Sequence, residues 1–162
     1  MRKKVIGVMG AGAGATPENI ADAYELGQAI AANDWILLTG GRAAGVMEAA
    51  SRGAKAANGL TLGILPNQDT QDISEFVDIA IYTDMGNARN NINVLSSDVI
   101  IAVGMGMGTA SEMALAVKNN TPAILLKPDP ETFVFFTKFA APQVQNVMTI
   151  DAAIALTKTL LT

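Results

Sequence analysis

Residues 104–112, which read GMGMGTASE, are the part of the chain whose residue types and spacing best suit chemistry. They follow an apolar run that ends at Val103, and a helix is predicted to begin at Thr109. Glycines at such a junction leave backbone N–H groups accessible at the positive end of the helix dipole. We therefore predict a phosphate site here. Its predicted residues are Gly104, Gly106, Met107, Gly108 and Thr109.

A simpler interpretation of the same segment needs no ligand. Thr109 and Glu112 have the T-x-x-E spacing of a capping box, in which both side chains satisfy N–H groups at a helix start. The two interpretations are compatible, but three alternating glycines exceed what a cap requires. We therefore retain the prediction of a phosphate site.

The arginines beside glycine loops are the next candidates. Cations are scarce between Val5 and Leu126, and two of them, Arg42 and Arg89, adjoin such loops. Gly41 and Arg42 follow a predicted strand, so Arg42 could reach the same anion. A solvated arginine on a turn is the alternative.

Arg89 belongs to the motif NARNNIN, which is predicted to be helical. At helical spacing Arg89, Asn90 and Asn93 share one face, and the opposite face carries Ile92 and Leu95. We expect the polar face to point away from the core and to bind a phosphate or a polar heterocycle. An exposed polar helix without a ligand is the alternative, although asparagine is a poor helix former.

The first glycine loop, residues 10–16, contributes Gly10 and Gly12 to the predicted site. It resembles the first turn of dinucleotide-binding domains, but its spacing does not match G-x-G-x-x-G and no acid ends the second predicted strand. A nicotinamide cofactor is therefore not expected. Tight packing of strand against helix would also explain these glycines.

Composition excludes several classes of function. The chain has no cysteine and no histidine, which removes disulfides, structural zinc, thiolate nucleophiles and imidazole catalysis, and we predict no metal ligands. The net charge of −4 without a basic stripe argues against nucleic acid as a partner. Apolar runs are strand-sized, and the basic N-terminal residues precede a short strand. We expect no membrane association and a cytoplasmic location.

The elements that must position these residues alternate between strand and helix. Predicted strands occupy residues 5–9, 35–39, 61–65, 79–83, 99–103, 123–126 and 147–149. Predicted helices occupy residues 17–31, 46–57, 87–96, 109–119 and 151–161, with a short helical turn before the last strand. Residues 66–76 form a surface loop that either covers a pocket or only connects. This order predicts a single ligand-binding domain, residues 1–162, of the α/β class. The fold is Rossmann-like and doubly wound, with a mainly parallel sheet of six or seven strands and helices on both faces.

Three motifs together resemble a known superfamily. They are GGRAAGVMEAASRGA at residues 40–54, the spacing from Arg89 to Asp98, and GMGMGTASE. The chain resembles the Rossmann-like superfamily that includes the cytokinin-activating phosphoribohydrolases, often labelled "lysine decarboxylase-like". Within it, this short form looks most like the molybdenum cofactor carrier proteins.

The hydrolases of this superfamily carry the pattern PGGxGTxxE with an upstream arginine. By position, Arg89 matches that arginine, and the phosphate loop corresponds to Gly106, Gly108 and Thr109. Glu112 matches the glutamate, and the resemblance therefore adds it to the predicted binding residues. Two positions depart, because Gly104 replaces the proline and Met105 replaces the first glycine. The departure disfavours hydrolysis and leaves phosphate binding intact.

The resemblance implies a non-enzymatic carrier that binds, protects and transfers the molybdenum cofactor, a phosphate-bearing molybdopterin. It also implies molybdoenzymes or cofactor-biosynthesis proteins as donors and acceptors, and a homodimer or homotetramer. The alternative is a nucleoside 5′-monophosphate phosphoribohydrolase, in which Arg89 and Glu112 would be catalytic. A sensor of a nucleotide-like messenger is a third hypothesis.

Overall fold

The computed structural model describes residues 2–162. The strands are β1 (Val5–Gly10), β2 (Ile36–Thr39), β3 (Thr61–Leu65), β4 (Ile79–Tyr82), β5 (Val99–Val103), β6 (Ala123–Leu126) and β7 (Val144–Val147). The helices are α1 (Pro17–Ala32), α2 (Gly45–Ala56), α3 (Arg89–Leu95), α4 (Met107–Asn119), α5 (Pro130–Ala140) and α6 (Ile150–Leu160). A 3₁₀ turn, Gly86–Ala88, leads into α3.

All seven strands join one parallel sheet in the order β4-β3-β2-β1-β5-β6-β7. The chain moves outward from β1 to β4 and then returns to place β5 on the other side of β1. Loops leaving β1 and β5 therefore diverge at the carboxyl edge and open a crevice, the usual ligand site of such sheets. The predicted fold class is confirmed.

Two hydrophobic cores cover the two faces of the sheet. Alternate residues of β1 serve both, because Ile6 and Val8 lie in the core under α1, α2 and α6 whereas Met9 lies in the core under α3, α4 and α5. Central strand β5 is buried along its whole length. Burial on both faces explains why its sequence is continuously apolar rather than alternating.

Helices α1 and α2 approach each other closely because glycines face the contact. A Cβ at Gly53 would collide with the carbonyl oxygen of Tyr24, and a Cβ at Gly27 would collide with that of Ala50. This packing fixes α2, whose first turn lies beside the crevice.

The C-terminal part differs from the sequence-based prediction. A full helix, α5, replaces the short helical turn, and β7 ends where the predicted strand was to begin. Asp129 caps α5 by accepting from the N–H groups of Glu131 and Thr132. Exposed apolar side chains on its outer surface obscured the helical period. None of the helices in the described part of the chain is both long and apolar enough to traverse a bilayer.

The α1–α2 contact gives a test of the fold. Replacing Gly53 by Ala inserts a methyl group between two backbones, so we expect unfolding free energy to fall by about 1–3 kcal/mol, as for other overpacked cores. Urea denaturation measures it. Gly14→Ala is the matched control, because no atom lies within 4 Å of its added Cβ. Equal midpoints for the two variants would contradict the packing account.

Candidate functional site

A cleft of about 250 Å³ lies at the carboxyl edge, where the loops after β1, β2 and β5 meet the start of α3. It brings together residues that are far apart in sequence. Its walls include Gly10, Gly12, Arg42, Arg89, Asn90, Gly106, Met107, Gly108, Thr109 and Glu112, all of which are predicted binding residues. Three other predicted residues, Gly41, Asn93 and Gly104, do not line it.

The N-terminus of α4 forms one wall of the cleft. This helix begins at Met107, two residues before the predicted start, and its N-cap residue, Gly106, offers no side-chain hydrogen bond. The predicted capping box of Thr109 and Glu112 is therefore not formed, because both residues lie inside the helix. N–H groups of the uncapped first turn remain for a ligand.

Gly12, Gly106 and Gly108 leave open space in the cleft. A Cβ added to any of them would meet no atom within 4 Å. None of the three has a positive φ. Neither packing nor backbone conformation therefore explains why these positions are glycine. Side chains there would fill the space in front of the α4 N-terminus.

Gly104 determines the conformation of the loop after β5 and does not line the cleft. Its φ of +67° is one that proline cannot adopt. A Cβ at this position would also collide with Asn19, which forms a capping box with Thr16 at the start of α1. The loop after β5 therefore packs against the first turn of α1, in a conformation that the PGGxGT pattern does not allow at its proline.

Arg89 is held in a fixed position on the wall facing α4. Although charged, it is only 8% exposed. Its Nη1 donates to the carbonyl oxygen of Ile64 at 2.7 Å, and its guanidinium lies against Gly40, where a Cβ would collide with it. The buried Nε has no partner, so Arg89 retains an unused donor.

The orientation predicted for α3 was wrong. Its polar face, with Arg89, Asn90 and Asn93, points inward, whereas Leu95 is 62% exposed. The reason is that α3 lies over the cleft, where buried polar groups can pair with one another. Helical spacing shows that two faces differ but not which of them faces inward.

Side-chain hydrogen bonds join α3 to α4 below the cleft. Asn93 is fully buried, and its Nδ2 donates to Oε1 of Glu112 at 2.8 Å. Asn90 donates through Nδ2 to Oγ of Ser111 at 2.8 Å, and that hydroxyl donates to the carbonyl oxygen of Gly108. Asn93 thus supports the site from behind it. Ser111 connects Asn90 to the glycine loop.

Charges in the cleft favour an anion. Burial raises the pKa of Glu112, against the opposing effects of the Asn93 hydrogen bond and the Arg89 charge. Burial also lowers the pKa of Arg89, Glu112 raises it, and nearby Arg42 lowers it further. Two arginines thus face one carboxylate, so the cleft is locally cationic in a chain of net charge −4.

Arg42 is attached to residues 66–76. It forms an isolated antiparallel bridge with Ile73, and the N–H of Ala43 donates to the carbonyl oxygen of Asp72 at 2.7 Å. The Asp72 carboxylate lies 3.8 Å from the Arg42 guanidinium. No residue of this loop lines the cleft. The loop therefore supports the turn that carries Arg42 and does not cover the pocket.

Sequence reasoning missed part of the cleft wall. The missed residues are Val8, Met9, Ala11, Gly40, Met47 and Asn87. Two of them could have been predicted from the sequence, because Gly40 adjoins Gly41 and Asn87 is the first residue of the NARNNIN motif. No sequence feature indicated Met47, since its side chain reaches the cleft from a helix that otherwise packs on the sheet.

Comparison with known families matches nearly the whole chain. Residues 3–154 fit the model of the SLOG cluster4 family. The chain belongs to that family. This match agrees with the Rossmann-like superfamily of the phosphoribohydrolases that the glycine and arginine motifs indicated.

Two solved structures resemble this SLOG cluster4 chain over its whole length. The molybdenum cofactor binding protein of Rippkaea orientalis is 56% identical, with a TM-score of 0.98 over 100% of this chain and 99% of that one. The molybdenum cofactor carrier protein of Chlamydomonas reinhardtii is 49% identical, with a TM-score of 0.93 over 99% of both. A cytokinin riboside 5′-monophosphate phosphoribohydrolase of Mycobacterium tuberculosis is 33% identical over 93 residues, 56% of this chain and 50% of that one. The predicted resemblance to carrier proteins is confirmed.

Burial of Glu112 predicts a dependence of stability on pH. Because its folded pKa is raised above the ordinary 4.5, the folded protein loses stability as pH rises and this carboxyl ionises. Glu112→Gln keeps the acceptor for Asn93 without the charge. We expect the variant to melt higher than the wild type near about pH 8, and the difference to shrink as pH falls towards 4.5.

Melting curves over that pH range measure the effect. Glu25→Gln, on the exposed side of α1, is the control for loss of a carboxylate. A gap between the Glu112 variant and the wild type that does not change with pH would contradict the account.

Proposed function

We propose that this protein binds the molybdenum cofactor, shields it and transfers it without catalysing a reaction on it. The observation that carries the proposal is the open space in front of the α4 N-terminus, at glycines that neither packing nor backbone conformation explains. Such a space suits a terminal phosphate, which would accept from the uncapped N–H groups. The two full-length structural neighbours, named for binding or carrying this cofactor, support the same ligand.

Each part of a phosphate-bearing pterin has a suitable group in the cleft. The phosphate fits Gly106, Gly108 and Thr109, with Arg42 as counter-charge. The donor-rich edge of the pterin fits the carboxylate of Glu112, and the guanidinium of Arg89, which lines the cleft, can donate to its acceptor atoms. Absence of cysteine means that no protein thiolate would bond to the metal. Release of the cargo would then not require a metal–thiolate bond to be broken.

Transfer requires partner proteins, which we propose to be molybdoenzymes or proteins of cofactor biosynthesis in the cytoplasm. We also propose a homodimer or homotetramer. Met85 and Met107 are exposed beside a depression between α3 and α4, and Met107 at the rim of the cleft is 87% exposed. A second copy on this side would bury the rim and reduce access of oxidants to the cargo.

Phosphoribohydrolase activity on a nucleoside monophosphate is the second candidate. It is favoured by the meeting of Arg89, Thr109 and Glu112 in one cleft, as that chemistry would require. The backbone at Gly104 argues against it, because the proline of the hydrolase pattern cannot adopt that φ. Release of free adenine from AMP, lost in Glu112→Gln, would establish the hydrolase in place of the carrier.

Co-purification tests the carrier proposal directly. The protein is purified from a host that makes the cofactor, denatured and oxidised, and its pterin fluorescence is measured. We expect fluorescence well above that of an unrelated protein purified in the same way. Fluorescence equal to that blank would contradict the proposal.

Gly108→Val locates the ligand within the cleft. Its side chain would enter the space reserved for the phosphate, so we expect at least a tenfold loss of bound pterin, on the order of one lost charge-assisted contact to the phosphate. Folding is expected to be retained, since nothing lies within 4 Å of the new Cβ. Gly14→Val is the matched control, because its position is equally open but does not line the cleft. Similar pterin loads in both variants would place the ligand elsewhere.

A further inference from the structure

The outer side of α5 is an exposed aromatic surface far along the chain from the cleft residues. All but one of the five phenylalanines lie on this helix, and only Phe136 among those four is buried. Val134 and Phe139 are each more than 60% exposed, at 62% and 64%. Exposed apolar patches of this kind usually mark an interaction site.

The surface is defined and partly rigid. It forms a shallow depression lined by Pro130, Glu131, Val134, Phe135, Lys138 and Phe139, none of which lines the cleft. The Phe135 ring packs edge-on against Phe136, with centroids 5.2 Å apart, and lies 5.1 Å from the Phe139 ring. These contacts hold Phe135 in place. Binding there would therefore cost little side-chain entropy.

The charges along this helix face are complementary to those of the same face in an antiparallel copy. Glu131, Val134, Phe135 and Lys138 follow i, i+3, i+4 and i+7 spacing and share one helical face. The acid and the base stand seven residues apart, about 10.5 Å along the axis. A two-fold axis passing between Val134 and Phe135 would place Glu131 of each copy beside Lys138 of the other. The same axis would place Val134 against Phe135.

We propose that this surface binds a second copy of the chain, with the two α5 helices antiparallel about that axis. Such an isologous contact closes on itself and adds two ion pairs around an apolar centre. A parallel arrangement would instead bring like charges together. None of the residues of this α5 surface lines the depression between α3 and α4, and the contact requires no ligand in the cleft.

Charge exchange tests the antiparallel pairing. In Glu131→Lys the Lys138 of the second copy meets another lysine, and in Lys138→Glu two glutamates meet. We expect each single variant to associate about tenfold more weakly, since two symmetric pairs become repulsive. The double exchange, and a mixture of the two single variants, should restore the wild-type association. Light scattering and sedimentation at several concentrations measure it.

The interaction of these two charges with the helix dipole cannot explain recovery of association in the double exchange. Glu131 in the first turn and Lys138 in the last both suit the dipole of α5, so the double exchange is the worst variant for helix stability. Recovery of association in that variant would therefore come from the partner. Phe135→Asp, which charges the centre of the contact, should halve the mass of the assembly. An unchanged mass in Phe135→Asp, or weak association in the double exchange, would overturn the proposal.

Cross-linking provides an independent measurement because the chain has no cysteine of its own. Val134→Cys stands beside the axis, and mild oxidation should yield mostly covalent dimers. Thr137→Cys, exposed on the same helix but outside the stripe, is the control. Equal dimer yields for the two variants would also overturn the proposed pairing.

Discussion

Uncapped N–H groups at the start of α4 are the constraint on which the rest of the site depends. The first turn of α4 opens onto the cleft, with Gly108 exposed, and no side chain caps its N–H groups. Sheet topology places them at the point where β1 and β5 direct their loops apart. An anion satisfies the donors and the helix dipole together. The open positions at Gly12, Gly106 and Gly108 leave room for it.

The other polar groups are ordered before any ligand arrives. Arg89 is fixed by Ile64 and by the absence of a side chain at Gly40, while Asn93 holds Glu112 from behind. Buried charges of this kind cost free energy unless they are paired, so their placement requires compensation. A bound anion with donor and acceptor edges would provide it. The cleft is therefore organised for a polar, phosphate-bearing ligand rather than for an apolar one.

Much of the fold was predictable from local patterns. Buried parallel strands appear as short apolar runs, which in β1 and β5 lead into glycines, so β1, β3, β5 and β6 were predicted close to their observed bounds. The glycine loops and both arginines were also correctly placed at one edge. Local patterns failed where the answer depends on distant partners. The polar face of α3 points inward because its asparagines bond to Glu112 and Ser111 on α4, which the local sequence does not show. The length of α5 was not predicted because its exposed phenylalanines disrupt the apolar pattern expected of a surface helix.

The most direct test of the central claim is an amide NMR titration with inorganic phosphate. If an anion binds at the start of α4, the backbone N–H resonances of Gly108 and Thr109 should shift most, and they should saturate together. Shifts confined to other parts of the chain, with these two resonances unmoved, would contradict the account.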